Sequence, residues 1–541
     1  MIKENKLRKA AFRTLPLTAL TLAVALSACG KSEEPAASSS PSPAASPGAS
    51  AKPAREKLTL NWIIPQRDTT ANLPSDGSDF VRKAIEEKFN VTFNLVLLNG
   101  ADYNNIINQK VAAREQMDLF YYDGRASNDL IKENFTKDLT NFLTPQKVPN
   151  FFKWVTEKEL AAYQVQDKFM RAPFPFGREI LWSYYLRKDW LDKLKLKMPT
   201  TYDEMVDVMK AFTFNDPDGN GKNDTFGFST NGNGTSIPTE FPVFIKNKIY
   251  ADFWVEDDVF HVGRTDPRYP AAIDDLRKLL DLKVVDPDWF LNKGSQALDK
   301  AAQGKIGIVY GWGKDVAFDN ATNSFQKKTK ETTGVQTAEW VPFNPFGDSP
   351  MGVGQNPGNF NPFLVSNKSS DAQVERSMEI LNWLSGEEGF LLSHYGKEGV
   401  HYKRTGNKIE LLPDAYKKDI IDKGNFLALY LPIVPNEPTI LGFDVIDPKE
   451  TDRDRSILAK LRSYKTLPSI GTALSVKEGM DLPKLSMQTT VIQTKLLFED
   501  KDSSKFPQYR QELIDNYGLK TIMDWYAELV SKAQGKKIVW K

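Results

Sequence analysis

The chain has 541 residues, too many for one small core and enough for two to four domains of about 150 residues each. Charged residues make up 26% of the sequence and hydrophobic residues 40%, and 71 Lys and Arg face 70 Asp and Glu. This composition is typical of a globular protein and excludes the large basic excess of a nucleic-acid-binding protein. Nucleic acid is therefore not an expected partner.

Residues 1–28 have the pattern of a secretory signal peptide. Basic residues up to Arg13 precede a mostly apolar run at 15–26, which is too short to span a bilayer comfortably, and small residues follow. Cys29 is the only cysteine, which excludes a disulfide within the chain and zinc sites made of several cysteines. Leu-Ser-Ala-Cys at 26–29 resembles the lipobox of bacterial lipoproteins, which implies that the Cys29 thiol carries a lipid anchor.

Residues 29–57 are rich in Ser, Pro and Ala and have too little apolar content to order themselves, so they are predicted to form a flexible tether. No later stretch approaches the ~20 apolar residues that a spanning helix needs. We therefore expect the folded body to be held by a lipid anchor at the outer face of the bacterial cell membrane, in an extracellular or periplasmic location.

After the tether, the hydrophobic pattern alternates between the two-residue period of strands and the 3.6-residue period of helices. The predicted elements, in chain order, are a strand at 58–64, a helix at 80–89, a strand at 91–98, a helix at 103–113 and a strand at 119–122. This alternation predicts a parallel sheet with crossover helices. Ligands bind beyond the carboxyl ends of such strands, so we expect the turn after the third strand to border a cleft.

A second unit with the same alternation follows. Its helix at 189–194 precedes a capping box, formed by Thr201 and Glu204, at the start of a further helix. Later a predicted helix leads through a glycine into a strand at 305–312, which ends in the aromatic residue Trp312.

Several short motifs in a fixed order carry a family resemblance. They are the lipobox, the Ser/Pro linker, residues 186–194 followed by 199–201, residues 284–288, residues 304–310, and residues 379–384 ahead of 395–402. Together they resemble the family 1 extracellular solute-binding proteins, and among these the large LplA-like and alginate-binding lipoproteins.

The resemblance implies an α/β fold, the two-lobed periplasmic-binding-protein fold (type II-like), with discontinuous lobes joined by a hinge. We expect one lobe at 58–175 plus 320–366 and the other at 176–319 plus 367–541. It further implies a monomer, not an enzyme, that captures a carbohydrate, expected to be an oligosaccharide, in the cleft between the lobes. The loaded protein would then deliver its ligand to the permease subunits of an ABC importer.

The clearest local site is the loop at 215–225, which presents oxygen ligands at alternating positions. Side-chain oxygens come from Asp216, Asp218, Asn220 and Asp224, and a backbone carbonyl comes from Lys222. This spacing, with a glycine at the sixth position, predicts a structural Ca²⁺. The loop departs from the EF-hand at its twelfth position, where Gly227 supplies no carboxylate, and this lowers the expected affinity. The alternative is a metal-free Asp/Asn/Gly turn.

Aromatic residues where predicted strands and turns end are candidates for ligand contact, because a sugar stacks on a flat ring while its hydroxyls need polar partners. The candidates are Tyr122, Trp182, Tyr184, Tyr185 and Trp312, with Asp123, Arg178, Asn359 and Asn361 as polar partners. Trp312 is favoured, because similar proteins carry an aromatic residue just past this strand. The alternative for each residue is ordinary core packing.

The sequence offers little support for catalysis. Its three histidines form no His-Glu-x-x-His motif, and no Gly-x-Ser-x-Gly motif occurs. The paired carboxylates of a glycosidase are defined by spatial separation, which leaves a surface-anchored polysaccharide hydrolase or lyase as an alternative. A peptide-binding receptor and a receptor that presents its ligand to a sensor are further alternatives.

Overall fold

In the computed structural model, the parts of the chain that are described are residues 55–66, 71–99, 102–124, 126–165, 167–179, 181–313, 316–321, 324–354, 362–472 and 474–541. The signal peptide, Cys29 and most of the tether lie outside these ranges, as do Asn359 and Asn361. For Trp312 only the backbone is described.

The elements between residues 58 and 173 build four strands of a first sheet, with helices beside it. They are β1 (Leu58–Gln66), α1 (Phe80–Phe89), β2 (Val91–Asn99), α2 (Tyr103–Ala112), β3 (Leu119–Tyr121), α3 (Ser127–Lys132), α4 (Phe151–Trp154), α5 (Glu157–Ala161) and β4 (Ala172–Pro173). The predicted alternation of strands and helices in this region is confirmed, with boundaries within two residues of the expected ones.

The next elements include the four strands of a second sheet, together with a strand pair at 253–262 that lies outside that sheet. They are β5 (Trp182–Arg187), α6 (Lys188–Lys193), α7 (Tyr202–Phe214), β6 (Phe226–Phe228), α8 (Pro242–Lys246), β7 (Phe253–Glu256), β8 (Val259–Val262), α9 (Tyr269–Asp281), α10 (Gln296–Ala302), β9 (Ile306–Trp312), α11 (Phe325–Thr333) and β10 (Trp340–Phe343). The predicted capping box is present, because Thr201 accepts from the Glu204 backbone and Glu204 from the Thr201 backbone.

The remainder of the chain is mainly helical. Its elements are β11 (Pro362–Leu364), α12 (Asp371–Leu384), α13 (Glu387–Tyr395), β12 (Tyr402–Thr405), β13 (Lys408–Leu411), α14 (Pro413–Tyr416), β14 (Asp444–Ile446), α15 (Asp452–Ser463), α16 (Leu482–Thr494), α17 (Phe506–Tyr517), α18 (Leu519–Gln534) and β15 (Val539–Trp540). Short 3₁₀ and π segments lie at Gly263–Thr265, Lys417–Ile421, Phe426–Leu429, Pro438–Leu441, Lys495–Glu499 and Ser503–Lys505. Among the described residues, none of the helices combines the length and the apolar character needed to cross a membrane.

Two sheets organise the body. The first has the order β2-β1-β3-β11-β4; β1 runs parallel to β2 and β3, and β11 runs antiparallel to β3 and β4. The second has the order β10-β5-β9-β6, in which β9 is antiparallel to β5 and parallel to β6. Crossover helices join the parallel strands, as the hydrophobic periodicity predicts.

The buried apolar side chains fall into two groups. The first core group packs on the first sheet and draws its residues from 60–176 and again from 363–443. The second core group packs on the second sheet and draws its residues from 181–351 and 457–538. The chain therefore crosses between the groups three times. The first crossing lies between Phe176 and Leu181, the second between Met351 and Phe363, and the third between Phe443 and Ile457.

This grouping differs from the expected lobe boundaries, which placed residues 320–366 with the first lobe and 367–541 wholly with the second. Trp340 on β10 is buried in the second core group, because β10 pairs with β5. The α12 helix packs on the first sheet, where Ser377 accepts a hydrogen bond from the buried Trp62 indole. The lobe boundaries remain a prediction, and the packing favours this regrouped division.

Candidate binding site

The carboxyl ends of the parallel strands in both sheets point toward the first crossing of the chain. In the first sheet, β4 runs parallel to β3 because both are antiparallel to β11, and β4 leads directly into the crossing. In the second sheet, β5 starts after the crossing with Trp182, which pairs with Trp312 at the end of β9. Ligands of α/β sheets bind at such carboxyl ends, so these two edges define the candidate site.

An aromatic pair forms part of the second sheet's edge. The rings of Trp182 and Tyr310 are nearly parallel, at 8°, with centroids 5.6 Å apart. The Tyr310 hydroxyl donates to the Met351 carbonyl at 2.8 Å, which fixes the ring. Both residues are half-buried, so this pair combines a fixed position with some exposure.

A carboxylate lies next to these rings. Thr230, two residues beyond β6, donates its hydroxyl to the Glu240 carboxylate, and the Glu240 carbonyl accepts from the Tyr184 hydroxyl at 2.9 Å. Burial raises the pKa of Glu240, and the hydrogen bond from Thr230 partly opposes this. Burial also raises the pKa of the Tyr310 hydroxyl, and the negative charge of Glu240 adds to that effect.

A buried polar network holds the loop that carries Thr230. The Asp286 carboxylate accepts from Ser229 at 2.8 Å, from Asn292 at 2.9 Å and from Lys300 at 2.8 Å. Burial raises the pKa of Asp286, but these donors outweigh burial and the net shift is downward. The Asn292 amide also donates to the Thr230 carbonyl at 3.2 Å, so the network positions Thr230.

Tyr122 and Asp123 lie at the first sheet's edge, as predicted. Tyr122 is nevertheless buried, and its hydroxyl donates to Asn108 at 2.6 Å. Asp123 accepts from the Ala126 backbone at 2.9 Å and so shapes the turn into α3. Buried Arg171 also supports this turn by donating to the Ser127 hydroxyl. This geometry favours packing for Tyr122 and leaves Asp123 as the more exposed of the two.

Arg178 lies on the crossing itself. Its guanidinium pairs with Glu159, donates to the Trp154 carbonyl at 2.7 Å and lies over the Phe176 ring at 4.5 Å. These contacts attach the crossing to the first core group, and its charge is balanced by Glu159.

Two further residues that were predicted to contact the ligand lie in the core. Tyr184 and Tyr185 are both fully buried, and their side chains point to opposite faces of β5. Tyr184 packs at 4.8 Å from Tyr310, and the Tyr185 hydroxyl donates to the Gly313 carbonyl at 3.3 Å. Ligand contact by these residues stays a prediction, and their burial favours a supporting role.

The structure therefore brings Trp182 and Tyr184 together, places Asp123 on the other sheet, and adds three residues that the sequence analysis missed. These are Thr230, Glu240 and Tyr310. They are far apart in the sequence, and no local motif marks any of them. The topological rule that β6 and β9 end at the same edge is the one signal that could have found Thr230 and Tyr310.

The predicted calcium loop adopts a tight turn around Asp216. The Asp216 carboxylate accepts backbone N–H groups from Gly219, Asn220 and Gly221, each at 3.0 Å. The Asn220 amide donates to Asp218 at 2.9 Å and to Asp224 at 3.0 Å. Desolvation and the neighbouring Asp216 raise the pKa of Asp218. The acidic side chains therefore converge and repel one another.

Lys305 donates at 2.8 Å to the Asp224 oxygen that does not accept from Asn220. Over the described ranges, no cluster of three or more His, Cys, Asp or Glu side chains meets the geometric requirements of a metal site. The donor types still suit calcium, since Asp216, Asp218 and Asp224 are hard carboxylates on one loop and the Asn220 amide nitrogen lies between two of them. The Asn220 side-chain oxygen accepts from the Lys222 backbone at 2.8 Å, so this amide would have to rotate to present its oxygen to a cation.

The family model described as bacterial extracellular solute-binding protein matches residues 81–397. The chain belongs to this family, which confirms the resemblance seen in the sequence. It is 27% identical over 245 residues to the polygalacturonan/rhamnogalacturonan-binding protein YtcQ of Bacillus subtilis, covering 43% of this chain and 46% of that protein. It is 25% identical over 289 residues to the fructooligosaccharide ABC transporter substrate-binding protein FusA of Streptococcus pneumoniae, covering 49% of this chain and 51% of FusA. The chain thus spans about half the length of these relatives.

The structure resembles that of a solute-binding protein associated with an HMO-binding ABC transporter from Bifidobacterium longum infantis. The TM-score is 0.64 at 17% identity, and the match covers 89% of this chain and 100% of that one. At this identity the likeness concerns the fold. The fold is the mixed α/β, two-lobed fold of periplasmic solute-binding proteins, as predicted.

Proposed function

We propose that this protein captures an oligosaccharide between its two sheets and delivers it to the permease of an ABC importer. The observation that carries the proposal is the convergence of both carboxyl edges on the first crossing, where Trp182, Tyr310 and Glu240 combine aromatic rings with a hydrogen-bond acceptor. Sugars need this combination, because their C–H faces stack on rings and their hydroxyls need polar partners. YtcQ and FusA are both named for carbohydrate ligands, which supports the same class here.

The proposed cycle uses binding without chemistry. A ligand that touches both core groups favours the closed arrangement of the lobes, and the closed form is what the permease would recognise. Three crossings between the groups provide the hinge. We infer that the protein acts as a monomer and that catalysis takes no part in its role.

We propose that the Cys29 thiol carries a lipid that anchors the protein to the outer face of the membrane. The Leu-Ser-Ala-Cys motif at 26–29 and the tether behind it support this localisation. Metabolic labelling with a radioactive fatty acid tests it: the wild type should be labelled and Cys29→Ser should not. Label on both proteins would contradict the anchor.

We propose that Ca²⁺ binds the loop with oxygens from Asp216, Asp218, Asn220 and Asp224 and the Lys222 carbonyl. The close approach of the acidic side chains supports this, because a cation relieves their repulsion. The ion would have a structural role, holding the turn between α7 and β6.

A thermal-shift screen of residues 55–541 tests the binding proposal. Ligand binding to the native state raises the melting temperature by mass action. We expect a shift with at least one neutral or acidic oligosaccharide and no shortening of that sugar. A shift with peptides alone would indicate a peptide receptor, and release of shorter sugars would indicate a hydrolase or lyase.

A further inference from the structure

The Glu240 carboxylate uses only part of its capacity to accept hydrogen bonds. One oxygen accepts the Thr230 hydroxyl. In the portion of the chain that the structure describes, Thr230 is its one hydrogen-bonding side-chain partner, and no cation forms an ion pair with it. A carboxylate oxygen has two lone-pair directions, so an acceptor remains open on the second oxygen.

This open acceptor is held rigidly at the carboxyl edge of the second sheet. Thr230 is buried and follows β6, whose carboxyl end faces the crossing. The Glu240 backbone is fixed by the Tyr184 hydroxyl, and the Asp286 network fixes the loop of Thr230 through Asn292. Glu240 itself is half-buried, so its carboxylate is partly desolvated while the residue keeps some exposure.

The chemistry of the surroundings selects what this acceptor takes. A partly desolvated carboxylate gains from a hydroxyl or another donor, whereas a second carboxylate beside it is repelled. The neighbouring Tyr310 and Trp182 offer ring surface, and the Tyr310 hydroxyl is already committed to Met351. A hydroxyl of an uncharged sugar residue meets all of these conditions.

We propose that Glu240 is a specificity-determining residue, whose open oxygen accepts a hydrogen bond from a hydroxyl of an uncharged sugar residue. The inference rests on the proposed function and adds to it the acceptor and the chemical class of the sugar bound there. A uronic acid at this subsite would place its carboxylate against Glu240 and bind more weakly.

The experiment is calorimetric titration of wild type, Glu240→Gln and Glu240→Ala with kestose, maltotriose, cellotriose, mannotriose, α-1,4-galactotriose and trigalacturonic acid. The last two differ at C6, where a hydroxymethyl group replaces a carboxylate. Glu331→Gln on α11 is the matched control, because it removes one exposed negative charge far along the chain from the site. Melting temperatures identify any variant that fails to fold, and Glu240→Gln keeps the shape of the side chain.

The account predicts that wild type binds a neutral trisaccharide and that Glu240→Ala weakens this affinity about 10- to 100-fold, since a hydrogen bond to a charged group is lost. Glu240→Gln should weaken the affinity for the neutral trisaccharide less, and it should reduce any preference for galactotriose over trigalacturonic acid. Glu331→Gln should leave this affinity and this preference unchanged. Unchanged affinity in both Glu240 variants, or wild-type binding to the acidic sugar alone, would overturn the inference and leave the proposed function standing. No binding of any sugar by wild type would overturn both.

Discussion

The carboxylate of Glu437 accepts the backbone N–H of Arg178 at 2.5 Å and so connects the first crossing of the chain to the first core group. The same oxygen accepts from the Glu179 backbone at 3.2 Å. A β-carbon on Gly177 would lie 2.5 Å from that oxygen, so the glycine permits the close approach. The Glu179 side chain pairs with Arg462 of α15 at 2.6 Å, which attaches the crossing to the second core group as well.

Replacing Glu437 with Ala should loosen this crossing. Two backbone N–H groups would lose their acceptor, which lowers the free energy of unfolding by about 1–3 kcal/mol. Urea unfolding measures the change. Glu437→Gln is the control, because its amide oxygen can still accept and should recover part of the loss. Equal stability of Glu437→Ala and wild type would contradict a holding role for this carboxylate.

Replacing Asp286 with Ala should lower stability and also displace Thr230 at the candidate site, because Asn292 links the two residues. Lys300, Ser229 and Asn292 would lose a shared acceptor inside the protein, so we expect a loss of about 2–4 kcal/mol in the free energy of unfolding. Sugar affinity should also fall, because Asn292 would no longer be held against the Thr230 carbonyl. Denaturant unfolding and calorimetry check the two effects. Asp288→Asn removes an exposed partner of the same lysine and should change both far less.

Calcium should raise the melting temperature of the wild type above its value in chelator. The double variant Asp216→Asn/Asp218→Asn should show little or no shift, because two of the three carboxylates proposed as ligands are gone. Asp207→Asn on α7 is the control, since this exposed acid lies outside the loop and its loss should leave the calcium shift intact. An equal shift in the double variant and the wild type would contradict the assigned ligands.

Stability should fall as the pH drops from about 6.5 toward 4, in part because of His394. Burial lowers the pKa of this imidazole to about 4 from 6.5, against two backbone carbonyls that raise it. The unfolded chain therefore takes up a proton at this residue before the folded one does, and the stability present above pH 6.5 is lost progressively below it. The full loss is about 3 kcal/mol.

Urea unfolding of wild type and His394→Gln at pH 7, 6, 5 and 4 isolates this contribution. The variant lacks the ionisable ring, so the free energy of unfolding of the wild type should fall relative to that of the variant as the pH falls. Parallel pH profiles would show that His394 does not titrate in this window.

The sequence predicted local elements well, but it held no signal for contacts between segments far apart in the chain. The strand β1, the helix α2 and the Thr201 capping box lie where hydrophobic period and cap chemistry place them, because these signals act over a few residues. The return of α12 to the first sheet depends on contacts such as that of Trp62 with Ser377, which are 315 residues apart. No local pattern records such a contact, so the expected boundaries of the lobes differed from the packing.

The same limit applies to the binding site. Trp182 and Tyr184 were candidates of equal weight in the sequence, although Tyr184 is fully buried in the structure. Alternation along β5 could not distinguish them, because both faces of this strand are covered by core residues. Glu240 lies in a loop ahead of α8, where an acid is unremarkable until Thr230 and Tyr310 are placed beside it.

Calorimetric titration of residues 55–541 with the oligosaccharides that shift its melting temperature, followed by mass spectrometry of the recovered sugar, distinguishes capture from catalysis. We expect saturable binding of one sugar per protein and recovery of that sugar at its original length. Heat without saturation together with shortened products, or no binding to any oligosaccharide, would contradict a carbohydrate-capturing protein that works without chemistry.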